Sequence, residues 1–124
     1  MKTQLILAAA LMCILSSCSE DEIHIGDRFL LYKSEESRSH FDSIGLDVGG
    51  TQRLIRGKIE CYGCDSTYVV AKMENGSYYY FEKAAVKKSS RPTDMVEGPC
   101  DADVYKRRAA LYHFPPLDHF PPRQ

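Results

Sequence analysis

The sequence predicts a mainly β fold of the α+β kind: a small antiparallel sheet of four or five strands, rolled or half-open, with one C-terminal helix. Three observations carry this. Two runs rich in β-branched and aromatic residues, Thr67 to Met73 and Ser77 to Glu82, flank Asn75-Gly76, the strongest short hairpin signal in the chain. From Leu54 to Cys61 the residues alternate, with Ile55, Gly57, Ile59 and Cys61 on one face and Leu54, Arg56, Lys58 and Glu60 on the other. From Asp101 to Tyr112 the spacing becomes helical, with Ala102, Tyr105, Ala109 and Tyr112 on one face.

Taken in order, Ile23 to Lys33 reads as the first strand, with Phe29-Leu30-Leu31-Tyr32 at its centre and a bend or bulge at Gly26-Asp27. Polar Ser34 to Ser39 is a connection. Ile44, Leu46 and Val48 alternate with Gly45 and Asp47 as a half-buried strand, and Gly49-Gly50 suits a tight hairpin. Tyr62-Gly63 reads as a turn into the next strand. A two-residue loop at Asn75-Gly76 sets Met73 opposite Tyr78, Ala71 opposite Tyr80 and Val70 opposite Phe81. That register puts Val69, Ala71, Met73, Tyr78 and Tyr80 on the core face, with Val70 and Phe81 as a smaller patch behind. Ser89-Ser90-Arg91-Pro92 breaks the pattern and Gly98-Pro99-Cys100 is a further turn. In the helix Asp101 is the expected cap, Asp103 suits the first turn, and Lys106-Arg107-Arg108 lie farther along, as the dipole prefers. The end of the chain repeats itself: His113-Phe114-Pro115-Pro116-Leu117-Asp118, then His119-Phe120-Pro121-Pro122-Arg123-Gln124. Paired prolines stop a helix and favour an extended course, so this is a loose or surface-draped tail, with a docking peptide for an aromatic groove as the alternative.

The start of the chain has a different character. Met1-Lys2 is a short positive start, and Leu5 to Leu15 is an unbroken run of eleven apolar residues. That length suits a secretory leader and falls short of the roughly 20 residues of a membrane-spanning helix. The alternative, a buried N-terminal helix, sits badly with the acids that follow. Residues 1–17 are therefore read as a leader, 18–22 as an acidic tether, 23–112 as one domain and 113–124 as the tail.

Leu15-Ser16-Ser17-Cys18 resembles the lipobox of bacterial lipoproteins. The resemblance implies that the chain is cut before Cys18, that Cys18 carries a diacylglycerol thioether, and that its new amine is acylated by a fatty acid such as palmitate. The lipid bilayer is then a partner through the anchor, each buried methylene contributing about 0.8 kcal/mol. Ser19-Glu20-Asp21-Glu22 resembles the acidic surface-export signal of lipoproteins in one group of Gram-negative bacteria. It implies an outer-membrane protein facing the cell surface; read as an ordinary solvated tether, it leaves the protein facing the periplasm. The order of elements is also similar to that of small strand-rich bacterial lipoproteins of uncharacterised function, which carries no residue role across.

The whole chain holds 16 Lys+Arg against 17 Asp+Glu. Removing the leader takes away only Lys2, so the balance becomes 15 against 17, a net charge of −2. No basic face suited to nucleic acid is expected, and Lys87-Lys88 and Lys106-Arg107-Arg108 read as solvated. Cys13 lies in the leader. Cys61, Cys64 and Cys100 remain: a structural disulfide between Cys61 and Cys64 is favoured, a longer loop closed to Cys100 is the alternative, and free thiols are the third reading.

Candidate chemistry is sparse. Cys61-Tyr62-Gly63-Cys64 has the spacing of a redox pair, but such a pair wants its first thiol at a helix N-terminus. Cys61, Cys64, His113 and His119 number four zinc ligands at the wrong spacing. His24 and His40 read as surface residues. Eight tyrosines, densest at Tyr78-Tyr79-Tyr80, suit strand packing first and a stacking surface second. Asn75-Gly76-Ser77 matches a glycosylation sequon that the turn explains better. Asp42-Ser43-Ile44 and Asp65-Ser66-Thr67 resemble a three-residue O-glycosylation signal of extracytoplasmic proteins in the same bacterial group. No catalytic set, metal or free cofactor is expected. The reading is a non-enzymatic binding module for an unidentified protein or glycan; the alternatives are a protective inhibitor against a hydrolase or toxin, and a thiol-active envelope protein using Cys61 and Cys64.

Overall fold

The computed structural model describes residues 21–37 and 39–122. The leader and the tether residues Cys18, Ser19 and Glu20 lie outside the described residues, as do Arg123 and Gln124. The fold is mainly β, as expected, but with eight strands in two open antiparallel sheets, and it carries one C-terminal helix and a short extra one. The first sheet runs β1 (Glu22–Gly26), β2 (Phe29–Tyr32), β3 (Ser43–Asp47) and β4 (Thr51–Arg56) in sequence order. The second runs β5 (Ile59–Cys64), β6 (Tyr68–Met73), β7 (Tyr78–Glu82) and β8 (Glu97–Cys100). Helix α1 (Lys83–Lys88) follows β7, a 3-10 turn spans Pro92–Met95, and α2 (Ala102–Tyr112) follows β8.

The expected first strand is in fact a hairpin. The bend at Gly26-Asp27 is a full reversal: Gly26 pairs with Phe29 across Asp27-Arg28, and Asp27 has a φ of 54°. The expected turn at Gly98-Pro99-Cys100 is instead the edge strand β8, where a proline is tolerated because the outer side of an edge needs no donor.

The two sheets share one core. Phe29, Leu31 and Ile44 from the first sheet meet Val69, Met73 and Phe81 from the second, all essentially without exposure. Phe29 and Phe81 touch across the sheets at 5.1 Å between centroids, tilted 45°. Such a pair contributes about 1 kcal/mol beyond the 1.5–3 kcal/mol of burying each ring. Helix α1 puts fully buried Val86 into the same core, and its Lys87 ion-pairs with Asp27 at the β1–β2 turn.

The β6–β7 hairpin corrects the expected register. Ala71 pairs with Tyr79, Val70 with Tyr80 and Val69 with Phe81. The Ser77 carbonyl accepts from the Met73 amide at 2.8 Å, so the loop is the three residues Glu74, Asn75 and Gly76. Only Gly76 takes a positive φ, 89°, and its amide donates back to the Met73 carbonyl. This is a turn followed by a left-handed glycine rather than a type I′ pair. One extra loop residue shifts β7 by one position and exchanges its faces. Tyr79 and Phe81 therefore join Val69, Ala71 and Met73 in the inter-sheet core, while Val70, Tyr78 and Tyr80 face the other way.

That other face is covered by α2. Asp101 caps the helix as expected, its Oδ1 accepting from the Val104 amide at 2.9 Å. His113 ends it in a left-handed conformation with φ 57°, and Pro115 follows. Tyr105 is buried against Val70 and Tyr80 and stacks on Tyr78 at 4.4 Å.

Candidate functional site

The residues singled out by sequence fall in separate places. Cys61-Tyr62-Gly63-Cys64 lies inside β5, not in a turn; the turn comes after it, where the Asp65 carboxylate accepts from the Thr67 and Tyr68 amides. Three steps along a strand separate Cα atoms by about 10 Å, against a limit of about 7 Å for a disulfide. The two thiols also face opposite ways. Tyr62 and Cys64 pack on the inter-sheet core, and Cys61 lies on the α2 side near Tyr105. β5 and β8 are separated by β6 and β7, about 14 Å in a sheet, so Cys61 and Cys100 are apart as well. Cys61, Cys64 and Cys100 all stand as free thiols, and the expected bridge does not form. Burial pushes the Cys61 thiol up, with Glu60 adding to it, and burial raises Cys100 too. Neither shift favours thiolate chemistry. Among the described residues no group of His, Cys, Asp and Glu is arranged to hold a metal ion, and no helix is long and apolar enough to cross a membrane.

Of the two short O-glycosylation-like signals, Ser43 is fully buried and Ser66 is exposed in the Asp65 turn. Asp42, beside Ser43, is a clasp. Its carboxylate accepts from the Ser34 amide (2.7 Å) and hydroxyl (2.5 Å), from the Ser43 hydroxyl (3.2 Å) and from Arg53 Nη2 (3.2 Å). Burial alone would raise its pKa, but the Ser34 hydrogen bonds and the Arg53 charge outweigh it and hold the carboxyl below its ordinary value. Its backbone serves the same joint: the Asp42 carbonyl accepts from Gly57 and the adjacent Phe41 carbonyl from Ile59.

The tail is draped over the domain and pinned. Phe114 sits among Tyr68, Tyr80, Tyr105 and Tyr112, with centroids 4.7 to 5.9 Å away. Pro115 is buried. Pro116 then runs so close to β5 that a Cβ at Gly63 would lie 2.0 Å from its carbonyl oxygen. The Tyr62 amide donates to the His119 carbonyl (2.9 Å), and the His119 amide donates back to Tyr62 (3.0 Å). The two rings stack at 5.3 Å. β5 is an edge strand, so this bridge covers part of an edge, and the flanking prolines cannot extend the ladder.

Two segments thus dock on the outer edge of β5, Phe41 at Ile59 and the tail at Tyr62. Between them lies a cleft of about 710 Å³ with Phe41 and Ile59 in its floor, His40, Glu60 and Glu74 on its walls, and Phe120 and Pro121 at its rim. Glu60 is ion-paired to Lys72 at 2.9 Å. Phe120 is 69 % exposed, the most of any large apolar side chain among the described residues. Next to Phe41 is a buried cation: the Lys33 side chain is 3 % exposed, with Nζ 5.0 Å from the Phe41 ring centre and 3.6 Å from an Asp21 carboxylate oxygen. Its amide donates to the Asp21 carbonyl at 3.0 Å, which fastens the end of the tether to the domain.

Sequence reasoning missed that Lys33 lies over Phe41 and that Phe41 and Phe120 line one cleft, because the tail is far along the chain from the other two. The repeat itself was a usable signal, since one copy of a duplicated aromatic-proline motif fills one socket. Compared with protein-family models, curated proteins and solved structures, the chain finds no match.

Proposed function

We propose that this chain is a lipoprotein of the outer membrane, anchored through Cys18 and facing the cell surface, whose β domain is a non-enzymatic binding module. The carrying observation is the eleven-residue apolar run ending in Leu15-Ser16-Ser17-Cys18, with acidic Ser19 to Glu22 leading into strand β1. The adjoining domain supports the non-enzymatic part of this reading, since its three thiols lie apart from one another.

Three measurements test it. Mass spectrometry of the protein from envelopes should return an N-terminal tryptic peptide that begins at Cys18 and carries diacylglycerol and an amide-linked acyl chain. A peptide with unmodified Cys18, or one retaining the leader, overturns the anchor. Protease added to intact cells should remove the domain; a spared domain places it on the periplasmic side and overturns the surface assignment. An envelope pull-down should return a protein or glycan partner that turns over nothing of its own. Recovery of a single hydrolase or toxin replaces this reading with that of a protective inhibitor.

A further inference from the structure

Only Ser19 and Glu20 stand between Cys18 and Asp21, a reach of at most about 11 Å for three residue steps. Asp21 is not the end of a free linker, because Lys33 holds it by a backbone hydrogen bond and an ion pair. Lys33 in turn lies over Phe41, whose ring forms the floor of the cleft that Phe120 and Pro121 rim. The point of attachment and the most exposed apolar side chain are therefore at the same end of the molecule. Of the remaining exposed large apolar residues, Val48, Met95, Leu111 and Tyr112, the last two are at the far end: Tyr112 packs on Tyr68, five residues along β6 from Met73, which pairs with Ile59, or about 17 Å away.

We propose that this end of the domain sits on the bilayer holding the anchor, with Phe120 and the neighbouring proline rings entering the headgroup region. The inference rests on the lipidation of Cys18 proposed above. A single phenylalanine binds a membrane weakly by itself, but a three-residue tether keeps it continuously within reach, so the contact forms at high effective concentration. The charges around it are close to balanced, Asp21 with Lys33, Glu60 with Lys72 and Glu74 beside exposed Arg56 and Lys58, so this end carries no basic face that would call for an anionic surface. The occupant is a zwitterionic headgroup layer. In that orientation the cleft opens toward the lipid and the α2 face, with Leu111, points away.

The chain contains no tryptophan, so Phe120→Trp and Leu111→Trp each install a single reporter at an exposed position. The lipidated mature protein is placed in phosphatidylcholine vesicles whose acyl chains are brominated close to the headgroup. Co-flotation with the vesicles reports the anchor, and quenching reports the contact. The expected result is flotation of both variants, a blue shift and loss of about half the emission for Phe120→Trp, and unchanged emission for Leu111→Trp. Flotation without quenching of Phe120→Trp overturns the orientation while leaving the anchor intact. Equal quenching of both reporters overturns it too, since the domain then has no fixed face toward lipid. Absence of flotation overturns the anchor reading and this inference with it. A blue shift that needs added envelope protein, without bromine quenching, assigns Phe120 to a protein partner instead.

Discussion

The same four residues occur twice in the last twelve, and the fold uses them in opposite ways. In His113-Phe114-Pro115-Pro116 the histidine closes α2 in a left-handed turn, the phenylalanine enters a socket of four tyrosines, and the first proline is buried. In His119-Phe120-Pro121-Pro122 the histidine forms a single bridge to the edge of β5, and the phenylalanine points out beside a cleft. The difference lies in what each copy finds opposite it. The first lands on the aromatic outer face of the second sheet, which needs a cover. The second lands on a strand edge, which needs only to be blocked. Sequence identity therefore sets what a segment offers, and the surface beneath it sets what is taken.

The largest expected effect comes from emptying the socket of the first copy. Tyr105→Ala should cost about 3 kcal/mol in urea denaturation and release Phe114 as well. Gly63→Ala attacks the end of the first copy: its Cβ would collide with the Pro116 backbone, so a loss of about 2 kcal/mol and faster proteolysis of the tail are expected. His119→Pro removes one bridge donor of the second copy. It should cost about 1 kcal/mol, read as roughly fivefold faster exchange of the Tyr62 amide.

Titration separates the two regions by sign. On the side of the second copy, the Asp42 carboxyl is held low, so its stabilisation is present above the unfolded value of about 3.9 and is lost as pH falls through the lower folded value. Asp42→Asn should flatten that acid limb. Around the first copy, burial raises Tyr105, and Tyr80 is raised by burial despite Arg108. Their contribution is complete below the unfolded tyrosine value of about 10 and is lost as pH climbs past it. Acid should thus loosen the Phe41 floor of the cleft first, and alkali the Phe114 socket.

Much of the fold was legible in local pattern. The Asn75-Gly76 reversal and the Asp101-capped helix produced elements where they were expected, but the single strand expected from Leu54 to Cys61 is broken at Gly57-Lys58, where Gly57 takes a φ of 128°, into the end of β4 and the start of β5 in different sheets. The hairpin register was not legible, because a two-residue and a three-residue loop share the same Asn-Gly signal, and one position decides which face Phe81 takes. Gly63 misled for a different reason. Glycine commonly marks a turn, but here it is the space that Pro116, fifty-three positions later, requires. Cys18 was readable as a local motif, while the placing of Lys33 over Phe41, and of Phe41 and Phe120 around one cleft, arises only through tertiary packing. Tyrosines that looked like a possible stacking surface are mostly spent on Phe114 and α2.

The most direct test of the contrast between the two copies is one denaturation experiment on two variants of the chain, Phe114→Ala and Phe120→Ala. The first should lose about 2 kcal/mol, in proportion to a half-buried ring in an aromatic socket, and the second less than about 0.5 kcal/mol. Equal losses, or a larger one for Phe120→Ala, would show that the second copy is a structural bolt like the first and is not free to contact anything else.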